Sequence, residues 1–340
     1  MDARAYDSIW LYAFGYFACY APYAALTKGL SKGLLPGMSG AVSGMSLLPV
    51  STAASLVGMA LFLTTSGWWR DAGRRRVAGF DLPFPGPWTF LSGLCTAVII
   101  GTTTLAYTFS GTSIVFMMLL MRGGVLVIAP VIDLITGRRV RWFSWVALAL
   151  SLGALFTALS DGASYEMATL AVIDVAAYLA AYFIRLRFMS RSAKSDDARD
   201  SRRYFVEEQM VATPAVVLAL GLTAALGSGA MVDELRAGYG ALPGNPLVAL
   251  IGVGLFSQGT GIFGGLILLD KRENTFCVPV NRCSSVVAGV VASYGLVLFF
   301  GQKPPASSEL MGLALIVGAI LFLTVAPTIG GRGAAPAARR

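Results

Sequence analysis

Apolar residues run along the chain in blocks of about 20, the length a helix needs to cross a bilayer. Ten such blocks are visible, near 8–27, 41–66, 88–109, 112–136, 142–160, 167–186, 207–228, 246–269, 276–299 and 309–329. They are too long and too many to be the buried strands of a soluble fold. The pattern predicts an all-α membrane protein of ten transmembrane helices. Pro22, Pro49, Pro130, Pro214 and Pro279 fall inside these blocks, where freed carbonyls are tolerated only beside protein or water.

Composition points the same way. Of 340 residues, 56% are hydrophobic and 13% charged, against about 25% charged in an ordinary soluble domain. The net charge of +8 would suggest nucleic acid if it were spread evenly. Instead, with the N-terminus in the cytoplasm, twenty of the 26 Lys and Arg residues fall on cytoplasmic segments and four outside, leaving Arg122 and Arg282 within helices. That bias is the positive-inside signature. The basic balance is topology, and no nucleic-acid partner is expected. The expected setting is the inner (cytoplasmic) membrane, multi-pass, with both termini cytoplasmic. The opening "MDARAYDSIWLYAFGYFACY" lacks a basic leader and a small-residue cleavage site, so it reads as a retained first helix.

Histidine is absent, and Cys19, Cys95, Cys277 and Cys283 show no CxxC spacing. No disulfide framework, metal site or cofactor is indicated. Ser-His and Cys-His catalytic pairs are excluded, and GxSxG and GxxxxGK[ST] are missing. An enzyme is therefore not the expected class.

An internal repeat divides the chain. At an offset of 160 without a gap, Gly101 meets Gly261, Phe116 meets Phe276, Arg122 meets Arg282, Val127 meets Val287 and Val131 meets Val291. Past one longer loop, "LALSLGA" at 148–154 meets "LALIVGA" at 313–319. Tyr16 and Tyr20 correspond to Tyr178 and Tyr182. Five helices per half is an odd number, so the halves must be inverted, as in many secondary transporters. The expected organisation is one five-helix repeat over 1–163 and a second over 164–329. The second contains a charged cytoplasmic linker at 185–203, and a disordered tail follows at 330–340.

The stretch "TSIVFMMLLMRGGVLVIAPVIDLITGRRVRWFSWVALALSLGALFTAL" (112–159) resembles the fourth and fifth helices of the drug/metabolite transporter superfamily, in its EamA-like branch. "TFCVPVNRCSSVVAGVVASYGLVLFF" (275–300) and "LMGLALIVGAILFLTV" (310–325) resemble their second-half counterparts. The resemblance implies ten helices, cytoplasmic termini, a central cavity and alternating access. The chain departs from it at "TGRRVR" (136–141), where members often carry a glutamate.

Candidate chemistry lies in the helices. Arg122 falls ~15 Å deep in helix 4 and Arg282 ~12 Å deep in helix 9, counted at 1.5 Å per residue. Each costs about 2.5–3.5 kcal/mol at helix centre unless it meets water, an acid or an anion. Two readings stay open. The guanidiniums grip a carboxylate or phosphate of a substrate, or they pair with Asp174, Glu207, Glu208 or Asp133 and fix helix packing. Asn281, Gln258 and the pairs Tyr16/Tyr20 and Tyr178/Tyr182, each i, i+4 on one helix face, complete the candidate substrate site. Asp174 and Glu208 are the proton-coupling candidates. The expected function is a secondary transporter moving a small metabolite, anionic on the first reading of the arginines, by alternating access. The alternatives are a flippase for a lipid or lipid-linked phosphate, and a membrane-embedded enzyme or signalling subunit. Expected partners are the small-molecule substrate and membrane lipids, with the chain a monomer or homodimer.

Overall fold

The structure, a computed structural model, describes residues 3–77, 79–106, 114–159, 169–194, 197–240 and 246–302. It also describes residues 304, 310–311, 314–315, 317–319, 321–323 and 325. The junction of the two halves at 163/164 and the tail at 330–340 lie outside the described residues.

Of the described residues, 81% are helical. Its helices are α1 (Ala3–Ser31), α2 (Gly44–Ser66), α3 (Pro87–Leu105), α4 (Ile114–Ile135), α5 (Trp142–Leu159), α6 (Thr169–Ser192), α7 (Ala198–Leu226), α8 (Ala230–Ala237), α9 (Leu247–Leu269) and α10 (Asn274–Phe300). The described positions between 310 and 325 are helical too. Helix therefore accounts for most of the described residues in each apolar block. Four helices, α2, α7, α9 and α10, are long and apolar enough to cross a membrane, and α3 and α5 contain shorter apolar stretches. This is a helical membrane protein.

Local chemistry sets the helix ends. Ser43 caps α2 by accepting from the Ser46 N–H, and Gly67 closes it in the left-handed region at φ 70°, a conformation glycine adopts without a Cβ penalty. Asp197 caps α7 by accepting from the Arg199 N–H at 2.8 Å. All five helix-interior prolines are where the sequence puts them. Buried hydroxyls bond back one turn, Ser51 to Leu47 and Ser284 to Val280, both at 2.8 Å, so these hydroxyls are not left bare in an apolar setting.

Helices from the two halves interleave. The first helix packs on α9 and α10, while α6 packs on α3 and α4; α2 packs on α9, and α7 on α3. Two further contacts, α2 with α7 and α4 with α10, cross between the halves. One main core runs through this bundle, with Phe205, Phe276, Ile132, Leu186 and Met189 fully enclosed.

Two segments differ from the sequence expectation. Most of the charged stretch 185–203 is helical: α6 continues to Ser192 and α7 begins at Ala198. Its buried cations are bonded, Arg185 to Glu208 and Lys194 to the Arg272 carbonyl, while Arg187 and Arg191 are exposed. Second, a small antiparallel hairpin, β1 (Arg74–Val77) with β2 (Phe80–Pro83), stands between α2 and α3.

Candidate functional site

Near the middle of the bundle, α1, α4, α6 and α10 bring together tyrosines and arginines. Arg122 of α4 lies over the Tyr20 ring of α1, 5.4 Å from its centroid, and its Nη2 donates to the Tyr20 hydroxyl. Arg282 of α10 lies over the Tyr182 ring of α6 at 4.8 Å. The same Tyr–Arg unit thus occurs twice, once in each half. Each tyrosine stacks on its partner one turn away, Tyr16 with Tyr20 at 5.6 Å and Tyr178 with Tyr182 at 4.8 Å. Tyr16 and Tyr178 each lie within the field of both guanidiniums.

The geometry depends on one small residue. A Cβ on Gly264 of α9 would stand 2.9 Å from the Tyr16 ring and 3.1 Å from the Asn281 amide. Glycine is what allows both to pack there. Asn281 in turn donates to the Gly264 carbonyl at 3.4 Å. Gln258 is buried on α9 but faces Gly58 of α2.

Three of the four carboxylates that might have neutralised the arginines are engaged elsewhere. Glu208 is fully buried and takes a two-pronged bond from Arg185, Nε to Oε1 and Nη2 to Oε2, each 2.8 Å. Its Oε1 also accepts from Ser92 and Thr96. Glu207 accepts from the Gly73 and Gly86 N–H groups, from Thr89 and from Arg203. Asp133, near the end of α4, accepts from the backbone and side chain of both Asn274 and Thr275.

Arg282 is 8% exposed, and its Nε has no hydrogen-bond partner. Among the described residues, no carboxylate lies within ion-pair distance of it. A buried, unneutralised guanidinium is an expensive arrangement. It is also a ready fork for an anion.

Asp174, one turn before Tyr178 on α6, is 5% exposed, and both its carboxyl oxygens lack partners. Asp174, Tyr178, Tyr182 and Arg185 follow one another at helical spacing, so they share a face. Unlike Glu208, Asp174 has no guanidinium holding it.

Two features escaped the sequence reading. Tyr23 joins the cluster, its ring edge-on to Tyr20 at 5.6 Å; the spacing 16, 20, 23 in "YFACYAPY" was a signal for it. The Arg185–Glu208 pair had no such signal, because only packing brings α6 and α7 together there.

Outside the helices, Glu273 just before α10 accepts from Arg141 Nε and Ser144, both at 2.8 Å. Burial pulls its carboxyl up, but the bonds from Arg141 and Ser144 and the Arg141 charge outweigh that and hold it below the usual value.

No protein-family model matches the chain, and no curated protein matches it. Among solved structures, 26 chains are similar. One, described only as "Crystal structure of protein", aligns over 95% of this chain and 98% of its own length, with a TM-score of 0.57 and 16% identity. At that identity the likeness establishes a shared fold and nothing about chemistry.

Proposed function

We propose that the protein is a secondary carrier that moves a small anionic metabolite by alternating access, built from two inverted five-helix repeats. The observation that carries this reading is the doubled Tyr–Arg unit, Tyr20/Arg122 and Tyr182/Arg282, with no carboxylate beside Arg282 among the described residues. Helix pairing supports the inverted repeat, since exchanging α1 with α6, α3 with α9 and α4 with α10 reproduces the contacts. The ten apolar blocks and their charge bias favour ten spans, cytoplasmic termini and an inner-membrane location. These features agree with the resemblance to EamA-like drug/metabolite transporters.

In this reading the two guanidiniums hold the carboxylate or phosphate of the substrate, and Tyr16, Tyr20, Tyr178 and Tyr182 wall the chamber. Asn281 sets the position of α10 against Tyr16 through Gly264. Asp174 takes the coupling proton, and the Arg185–Glu208 pair braces α6 against α7. Because each half supplies one Tyr–Arg unit, the site remains formed while the halves rock to face either side.

The test is uptake into vesicles reconstituted with wild type, Arg122→Gln or Arg282→Gln, using a panel of carboxylate and phosphate metabolites. Both variants are expected to insert, to unfold at nearly the wild-type temperature and to lose transport at least tenfold. Loss of folding together with transport would instead assign the arginines to packing. Undiminished uptake of a cation by either variant would overturn the anion assignment.

A further inference from the structure

The hairpin between α2 and α3 is a second surface with its own chemistry, independent of the transport site. Its register pairs Arg74 with Pro83, Arg75 with Leu82, Arg76 with Asp81 and Val77 with Phe80. Alternation along strands therefore puts Arg75, Phe80 and Leu82 on one face, and Arg74, Arg76 and Asp81 on the other. Phe80 is 72% exposed, and Leu82 and the following Phe84 are exposed as well. Arg74, Arg75 and Arg76 are all exposed, and the Arg75 guanidinium lies 5.3 Å from the Phe84 ring centroid. The opposing acids are few: Asp81 is 3.8 Å from Arg76, and Asp71 is taken by Arg202.

The base of the hairpin is fixed. The two oxygens of Glu207 accept from Gly73 N–H and Gly86 N–H, one on each flank, both at 2.9 Å. The Phe84 N–H donates to the Gly73 carbonyl at 2.7 Å. An isolated two-stranded hairpin is marginal in water, so one held rigid with an apolar face outward needs something to cover that face. Its place in the chain says what that is. The hairpin begins eight residues after α2, a membrane-length helix, and ends four residues before α3. Trp68, Trp69 and the exposed Trp88 flank it, as aromatic residues flank a bilayer surface.

We propose that residues 74–84 form an anchor for anionic phospholipid on the membrane face where α2 ends. Phe80, Leu82 and Phe84 enter the boundary between headgroups and acyl chains. Arg74, Arg75 and Arg76, with exposed Arg70 nearby, take the phosphates. A bilayer surface offers an apolar layer beneath a negative one, and this is the order of chemistry that the hairpin displays.

Phe80→Cys and, on the opposite face, Asp81→Cys are each labelled with an environment-sensitive maleimide dye, with identically treated wild type as the blank for the native cysteines. The full-length proteins go into phosphatidylcholine vesicles with or without phosphatidylglycerol, and lipid-borne nitroxide reports insertion. At position 80 the dye is expected to shift to the blue and to be quenched several-fold more when phosphatidylglycerol is present, while at position 81 it stays water-like. Adding Arg74→Gln, Arg75→Gln and Arg76→Gln returns position 80 to its phosphatidylcholine level without lowering the unfolding temperature. A dye at position 80 that is water-exposed in both lipids overturns the proposal. So does one shielded equally in lipid-free detergent as protein concentration rises, which would make the hairpin a contact between copies.

Discussion

Glu208 shows how a buried charge is tolerated in this bundle: its oxygens meet the Arg185 fork and two hydroxyls. Removing one partner strands the other, so Arg185→Met is expected to cost about 3–5 kcal/mol, read as a fall in the unfolding temperature. The double variant Arg185→Met/Glu208→Leu should recover part of that loss. It should not recover all, because the Ser92 and Thr96 hydroxyls lose their acceptor. At the second Tyr–Arg unit the Arg282 guanidinium lies over the Tyr182 ring, a contact that Tyr182→Phe keeps and Tyr182→Leu removes. If this is the substrate site of the proposed carrier, Tyr182→Phe should keep most affinity for an anionic ligand, whereas Tyr182→Leu should lose about 0.5–2 kcal/mol of it, measured by ligand-induced thermal shift.

At the scale of elements, the N-terminal end of α10 is heavily tied. Residues 274–285 are buried without interruption, which a helix in contact with lipid on one side cannot be. Asp133 from α4 acts as its cap by accepting the Asn274 and Thr275 N–H groups at 2.9 and 2.7 Å. Asp133→Ala leaves those donors buried and unmatched, at about 1–3 kcal/mol each. Hydrogen exchange should speed up over the first turn of α10, and the enclosed Cys277 should become reactive to maleimide. The neighbouring Glu273–Arg141 contact carries a pH signature. Its carboxyl is held below the usual value in the folded state, so its stabilisation is complete above the unfolded value of about 4.3. It is lost as pH falls through the lower folded value. Acid unfolding of Glu273→Gln should therefore depend less on pH than that of the wild type, while the variant is less stable near neutrality.

For the whole molecule, the exchange of partners between halves means that neither half holds a complete packing interface by itself. The first helix finds its main neighbours in α9 and α10, and α6 finds its own in α3 and α4. Expressed separately, residues 1–163 and 164–340 are expected to be unstable alone and to regain protease resistance when co-expressed. Stable, independent halves would contradict this account.

The apolar blocks were sufficient to determine that this is a helical membrane protein, because segment length and hydropathy are properties of the chain alone. They also located the helices and the interior prolines, and the i, i+4 tyrosines announced a shared face without a neighbour. What each polar residue faces was decided only in three dimensions. The sequence left Arg122 and Arg282 open between substrate and acid. The structure commits Asp133, Glu207 and Glu208 to other partners and leaves no described carboxylate beside Arg282. The stretch 185–203 read as a loop because charge count alone ignores pairing, and α7 turns Glu208 toward Arg185. The hairpin at 74–83 was equally invisible, since its clamp, Glu207, lies more than a hundred residues away. Hydrophobicity is local and additive along the chain; charge compensation depends on contacts that only the folded bundle brings within reach.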